Sequence, residues 1–274
     1  MDNLAGSVRA ELSKLHAREL GACDALAQFA VDIRSPWGGR SLDTDHEDEA
    51  VLAVIFARTF NTYLAAIELA RMGFGQQAAM LNRSLFEDMI DAHWVTVNPE
   101  LAAQRLKEHH LHGRMLLADA VRAEKLMPED EIPTFDAARR AELDKIFGDY
   151  GEKSWTGLSL HARAEAVTHL WGDEPGGQDA LRHYRRIVHR ENNQILHLSA
   201  FSIGSQVRAR TEDALTLRLG PSDDHVGKAL LAAFWTFGQT ISLILDTFGF
   251  KLAERWKAVY EDQAAAFESE DGTS

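Results

Sequence analysis

The chain has 274 residues, of which 45% are hydrophobic and only 6 are proline, so it can bury a sizeable core and form long helices. Its formal net charge of -13 argues against broad binding to a nucleic-acid backbone, although a local basic site remains compatible with it. Cys23 is the only cysteine, which excludes an intramolecular disulfide and a cysteine-rich metal site. The N-terminus has no basic region followed by an apolar run, so we expect no signal peptide and a cytoplasmic location.

Apolar residues recur at helical spacing along most of the chain. The pattern predicts helices at 2–33, 46–72, 76–96, 99–126, 134–148, 159–170, 178–203, 222–248 and 250–268. The segment 35–39 should end the first helix, and Gly73-Phe74-Gly75 should join the second and third as a hairpin.

The only strand-like region is 205–220, where a short β-hairpin is expected. The most apolar window, 226–250, is interrupted by polar residues and is interpreted as a core helix, not a membrane span. We therefore predict one all-α domain over 1–268, an antiparallel helical bundle with 76–96 and 178–203 at its centre. The tail at 269–274 should be disordered.

The predicted helix 76–96 carries charge on one face, because Arg83, Glu87 and Asp91 follow each other at intervals of four residues. Buried charges are costly unless they are paired. This row therefore indicates either a structural ion-pair network or a functional site.

A second polar row lies on the predicted helix 178–203, where His189, Asn193 and His197 have the same spacing. Arg190 and His197 are seven steps apart, which returns to nearly the same helical face. Histidine can act as general acid or base and arginine can stabilise an anionic transition state, as metal-independent RNA cleavage requires. The alternative is a pair of structural histidines within a helix interface.

Two polar rows on neighbouring helices would satisfy one another, so we expect Arg83, Glu87 and His197 to meet in one polar cluster. His189 and Asp91 belong to the same predicted cluster.

Four residues of the helix 99–126 form an apparent metal cluster: Glu108, His109, His110 and His112. The Glu-x-x-His pairs of helical di-iron proteins are missing from this helix and from 178–203. We therefore expect these four residues on the surface, and neither a metal nor a cofactor. The alternative, a metal-dependent oxygenase, would contain iron or manganese.

Seven aromatic residues crowd the end of the chain: Phe234, Trp235, Phe237, Phe248, Phe250, Trp256 and Tyr260. They predict either a partner surface, as in a homodimer, or a central core helix that is apolar on all sides.

Three segments carry a family resemblance. They are Tyr63–Gly73 with Arg83-Ser84-Leu85-Phe86-Glu87, then Asn98-Pro99-Glu100 with Arg105, and then Trp155-Thr156-Gly157-Leu158-Ser159 followed by His197-Leu198-Ser199. Together they resemble DUF5677, a bacterial helical family without an established activity, over about residues 45–220. His189, Asn193 and Leu198 stand where the family often has tyrosine, serine and proline.

The helical layout and the Arg190…His197 segment are also similar to HEPN-type domains, which are often ribonucleases of toxin–antitoxin and phage-defence systems. That resemblance implies a metal-independent endoribonuclease, or an inactive relative, acting in stress or phage defence. His197 would be the general acid or base, Arg190 would steady the phosphate, and Asn193 would donate a hydrogen bond. The implied partners are RNA, a second copy of the chain, and an antitoxin or regulatory protein. The alternative is a non-enzymatic helical binding or regulatory module.

Overall fold

A computed structural model describes residues 2–37, 47–148, 154–171, 181–182, 190, 194–195, 207–210, 215–217 and 220–267. The described helices are α1 (Asp2–Leu15), α2 (Ala17–Trp37), α3 (Glu47–Arg71), α4 (Gly75–Val97), α5 (Pro99–Ala123), α6 (Ala137–Phe147), α7 (Leu160–Val167), α8 (Val226–Phe248) and α9 (Ala253–Ala264). Single 3-10 turns follow at Glu129–Glu131, Thr168–Trp171 and Ala265–Phe267. The strands β1 (Val207–Arg210) and β2 (Leu215–Leu217) pair antiparallel. The predicted all-α class is confirmed, and the strand pair lies where the short hairpin was expected.

The first predicted helix differs from the structure, because 2–33 is two helices that part at His16. No glycine or proline marks this junction. The His16 ring turns to Asp223, with 2.6 Å between Nε2 and Oδ1, and this tertiary contact leaves no trace in the periodicity. Most of the predicted helix 178–203 lies outside the described residues. Within it the structure describes 181–182, 190 and 194–195, and these residues are helical.

By its internal contacts the chain divides into two compact units. Unit 1 comprises Met1–Ser41, Val54–Ala92 and Trp171–Ser274, and unit 2 comprises Leu42–Ala53 and His93–Leu170. The helices α3 and α4 contribute residues to both. The single domain over 1–268 stays a prediction.

In unit 1, α3 and α4 form the predicted hairpin. Gly73 adopts a left-handed conformation with φ of 84°, which favours glycine, and its carbonyl accepts a 2.8 Å hydrogen bond from the Ser222 amide. Arg58 of α3 lies 3.4 Å from Asp88 of α4, between Nε and Oδ2. These two residues are equally far from Gly73 in sequence, as an antiparallel hairpin requires.

The core of unit 1 is organised around Phe237 of α8, which is fully buried. Its ring stacks on Tyr63 at 4.3 Å, on Phe60 at 5.8 Å and on Phe56 at 6.0 Å between centroids. The Tyr63 hydroxyl donates to the Cys23 carbonyl at 3.0 Å. Burial raises the pKa of the Cys23 thiol to about 12 and raises that of Tyr63 well above its ordinary value. Both groups therefore stay protonated, and Cys23 is a packing residue.

The crowded aromatic residues pack inside unit 1. Five of them are buried: Phe234, Phe237, Phe248, Phe250 and Trp256. Tyr260 stacks on Phe234 at 5.3 Å and contacts Trp256 at 4.9 Å between ring centroids. The structure therefore supports internal packing around α8, and this crowding no longer indicates a partner surface.

Two described helices, α3 and α8, are long and apolar enough to cross a membrane by length and composition alone. The core helix of a soluble protein passes the same test. The most apolar window of α8 is 67% buried within the chain, as expected of a core helix, whereas that of α3 is only 39% buried.

In unit 2, α5 packs against α6 through Met115, Leu143 and Phe147. The loop before α7 lies close to α6, because a Cβ on Gly157 would come within 2.9 Å of the Ile146 side chain. Gly157 also has φ of 77°, which favours glycine.

Candidate functional site

The charged row of α4 is only partly buried. Arg83 Nε donates to Glu87 Oε1 at 2.9 Å, and each of these side chains is about one-third exposed, at 30% and 32%. Asp91, one turn further along, is buried. The first two members of the row therefore form an ion pair within the helix, whose attraction is partly screened by solvent.

A more deeply buried carboxylate on the same helix was not predicted from the sequence. The Asp88 side chain is 5% exposed and is paired with Arg58, which is 65% exposed. The hairpin itself supplied the signal for this pair: residues 58 and 88 lie 15 positions on either side of Gly73. Arg163 of α7, in unit 2, is a second buried charge that the periodicity did not indicate.

The second predicted row lies outside the described residues. His189, Asn193 and His197 are not described, whereas Arg190 is helical and exposed. The convergence of Arg83, Glu87 and His197 in one polar cluster therefore stays a prediction.

The expected surface placement of the four-residue cluster on α5 is wrong for two of its members. Glu108 and His112 are buried, His109 is half-buried and His110 is exposed. The reason is that α6 packs over this face of α5 and brings complementary charges to it.

Glu108 is held by three donors. It accepts hydrogen bonds from Gln104 at 2.9 Å, from Arg105 at 3.0 Å and from Arg139 of α6 at 3.0 Å. Burial opposes its charge, but these hydrogen bonds and the two guanidinium charges outweigh burial, so the pKa of Glu108 lies below its ordinary value. This carboxylate ties α6 to α5.

His112 makes a second link between α5 and α6. Its Nε2 lies 2.8 Å from Asp144 Oδ1 and its ring stacks on Phe147 at 5.5 Å. The hydrogen bond from His112, followed by that from Arg140, lowers the pKa of Asp144. Burial, and then the charges of neighbouring histidines, lowers the pKa of His109, whose ring meets Phe147 edge-on at 5.2 Å.

The two buried members of the cluster form ion pairs, Glu108 with Arg105 and Arg139, and His112 with Asp144. Within the described ranges, no group of three or more His, Cys, Asp or Glu residues is placed to hold a metal ion. Glu108 and His112 therefore belong to the interface between α5 and α6.

We expect acidification to weaken the interface between α5 and α6. Because the pKa values of Asp144 and Glu108 lie below 3.8 and 4.5 in the folded chain, their stabilisation is present above the unfolded values and is lost as pH falls through the folded ones. The lowered pKa of His109 acts in the same direction from about pH 6.5 downward. Urea denaturation of the native chain and of Asp144→Asn at several pH values tests this expectation. The difference in unfolding free energy should be largest near neutral pH and should shrink on acidification; a constant difference would contradict it.

A family model matches residues 49–214, more than half of the chain; its description is family of unknown function (DUF5677). The chain therefore belongs to the DUF5677 family. The match includes the α3–α4 hairpin, the Trp155 loop and the segment from Arg190 to His197. No curated protein and no solved structure matches the chain.

Proposed function

We propose that the chain is a HEPN-like, metal-independent endoribonuclease that acts in stress or phage defence in the cytoplasm. The observation that carries the proposal is Arg190, an exposed cation on helical backbone within the family-matched region. Residues 194 and 195 are helical as well, which supports a helix on which His197 would share a face with Arg190.

In the proposed reaction, His197 takes the proton of a ribose 2′-hydroxyl, whose oxygen attacks the adjacent phosphorus. The bond to the 5′-oxygen of the next nucleotide breaks, and that oxygen takes a proton from water and leaves as a hydroxyl, while the His197 imidazolium returns its proton to solvent. The products are a 2′,3′-cyclic phosphate and a 5′-hydroxyl end. Arg190 would stabilise the negative charge on the phosphate, and Asn193 would donate a hydrogen bond to it. His189 belongs to the same proposed surface.

The proposal includes a homodimer, because HEPN-like modules commonly place the Arg…His segments of two chains across a shared groove. RNA is the proposed substrate, and an antitoxin or regulatory protein is the proposed inhibitor.

A second candidate function is a non-enzymatic helical binding or regulatory module. The observation that favours it is that the candidate site residues are paired within the chain. Arg83 pairs with Glu87, and Glu108 and His112 pair with residues of α6. In that case Glu108 and His112 hold α5 against α6, Arg83 and Glu87 pair within α4, and the chain would recognise a regulatory protein through its exposed surface.

Replacing His197 by alanine distinguishes the two functions. A ribonuclease should lose cleavage by about a hundredfold or more, as expected for a general acid or base, while its unfolding midpoint stays within about 2 °C. His110→Ala, an exposed histidine on α5, is the matched control and should keep full cleavage. The binding module would be favoured if the native chain does not cleave RNA and the unfolding midpoint of His197→Ala is several degrees lower than that of the native chain.

A further inference from the structure

The outward face of α3 is largely apolar. The helix buries one side through residues such as Phe56, Tyr63 and Ile67. On the other side, six residues at successive turns are exposed: Val54, Ala57, Arg58, Asn61, Leu64 and Ala65. An apolar strip of this kind on a helix indicates a contact surface.

The exposed residues are arranged symmetrically about Asn61. Ala57 and Ala65 lie four positions on either side of it, and Arg58 and Leu64 lie three positions on either side. If two α3 helices cross antiparallel at Asn61, Ala57 of each copy faces Ala65 of the other, as a two-fold interface requires. The small alanine side chains allow close approach, and the aliphatic stem of Arg58 can pack on Leu64 of the other copy.

The charges on this face favour the antiparallel arrangement. Arg58 lies towards its N-terminal end and Glu68 towards its C-terminal end, with side chains 65% and 47% exposed. An antiparallel crossing brings each Arg58 within about one helical turn of Glu68 of the other copy, whereas a parallel crossing brings like charges together. Within each copy Arg58 also pairs with Asp88, and Glu68 also pairs with Arg71 and Arg9.

We propose that two copies of this chain associate through antiparallel pairing of their α3 helices about Asn61. The inference rests on the homodimer included in the proposed function and names its surface, but it does not depend on RNA cleavage. A lipid bilayer could also cover an apolar helix face. The exposed Arg58 and Asn61 in the middle of the strip disfavour a bilayer, because charged and polar groups are costly in hydrocarbon.

Two double variants of matched exposed positions test the pairing. In Ala57→Lys/Ala65→Lys, each interface would place like charges opposite each other, which should weaken the dimer by at least about tenfold. In Ala57→Lys/Ala65→Glu, the same positions would carry unlike charges, and the dimer should persist within about threefold of the native affinity. Light scattering across a concentration series gives the particle mass of the native protein and of each variant, and the monomer has a mass of 30.5 kDa. Circular dichroism melting checks that both variants remain folded.

A native dimer that the Lys/Lys variant loses and the Lys/Glu variant keeps supports the proposal. A native chain that stays near 30.5 kDa at about 100 µM overturns it. It also fails if both variants remain dimeric, since another surface then forms the dimer, or if native monomers sediment with neutral phosphatidylcholine vesicles. An RNA cleavage assay on the same samples reports on the proposed activity separately.

Discussion

Replacing Gly75 by alanine should destabilise unit 1 by about 3 kcal/mol or more. An added Cβ would lie 2.3 Å from the Asp224 carbonyl oxygen, 2.6 Å from the Val226 amide nitrogen and 2.7 Å from the His225 carbonyl carbon. All three atoms belong to the backbone that enters α8, so no side-chain rotation can relieve the overlap. The first turn of α4 would have to move away from the start of α8.

Gly113→Ala is the matched control for Gly75→Ala. It lies within α5, and a Cβ there would meet no atom within 4 Å. Alanine favours the helix over glycine, so this variant should be more stable by about 0.5–1 kcal/mol. Urea denaturation of both variants measures the two effects. Equal stability of Gly75→Ala and the native chain would contradict the close approach of α4 to α8.

Replacing Phe237 by alanine should cost about 3–5 kcal/mol of unfolding free energy. The ring is fully buried and contacts three aromatic rings of α3, the nearest being Tyr63 at 4.3 Å. Its loss leaves a cavity that α3 cannot fill without moving Tyr63, whose hydroxyl is bonded to the carbonyl of Cys23.

Phe237→Leu is the control for Phe237→Ala, because it also changes this position but removes less of the side-chain volume. It keeps most of the buried apolar volume, so its loss should be less than half that of the alanine variant. Chemical denaturation followed by circular dichroism gives both values. A loss below about 1 kcal/mol for Phe237→Ala would show that this ring is not the centre of the core.

Much of the fold could be predicted from the sequence, because helical periodicity and turn residues are local signals. The hairpin about Gly73 and the core helix α8 are examples. The break at His16 could not be predicted in this way, because no glycine or proline marks it, and the contact of His16 with Asp223 joins residues more than 200 positions apart. Internal packing of the aromatic residues near α8 was one of two alternatives that the sequence left equal.

The candidate site was less predictable, because spacing shows which charges share a face but not what lies opposite. Glu108 and His112 seemed to be surface residues until α6 supplied Arg139 and Asp144 as their partners. The charges of α6 were visible in the sequence, but their spacing did not indicate these pairs, because Arg139 and Asp144 are five positions apart and Glu108 and His112 are four. The Arg58–Asp88 pair could likewise have been predicted from the register of the hairpin.

The chemical identity of the cleaved RNA ends tests the central claim most directly. The purified native chain is incubated with a single-stranded RNA in the presence of excess EDTA, with His197→Ala as the control, and the ends are identified by mass spectrometry. Attack by the 2′-hydroxyl predicts 2′,3′-cyclic phosphate and 5′-hydroxyl ends from the native chain, and intact RNA with the variant. Products with 5′-phosphate ends, or equal cleavage by both chains, would contradict a metal-independent ribonuclease that depends on His197.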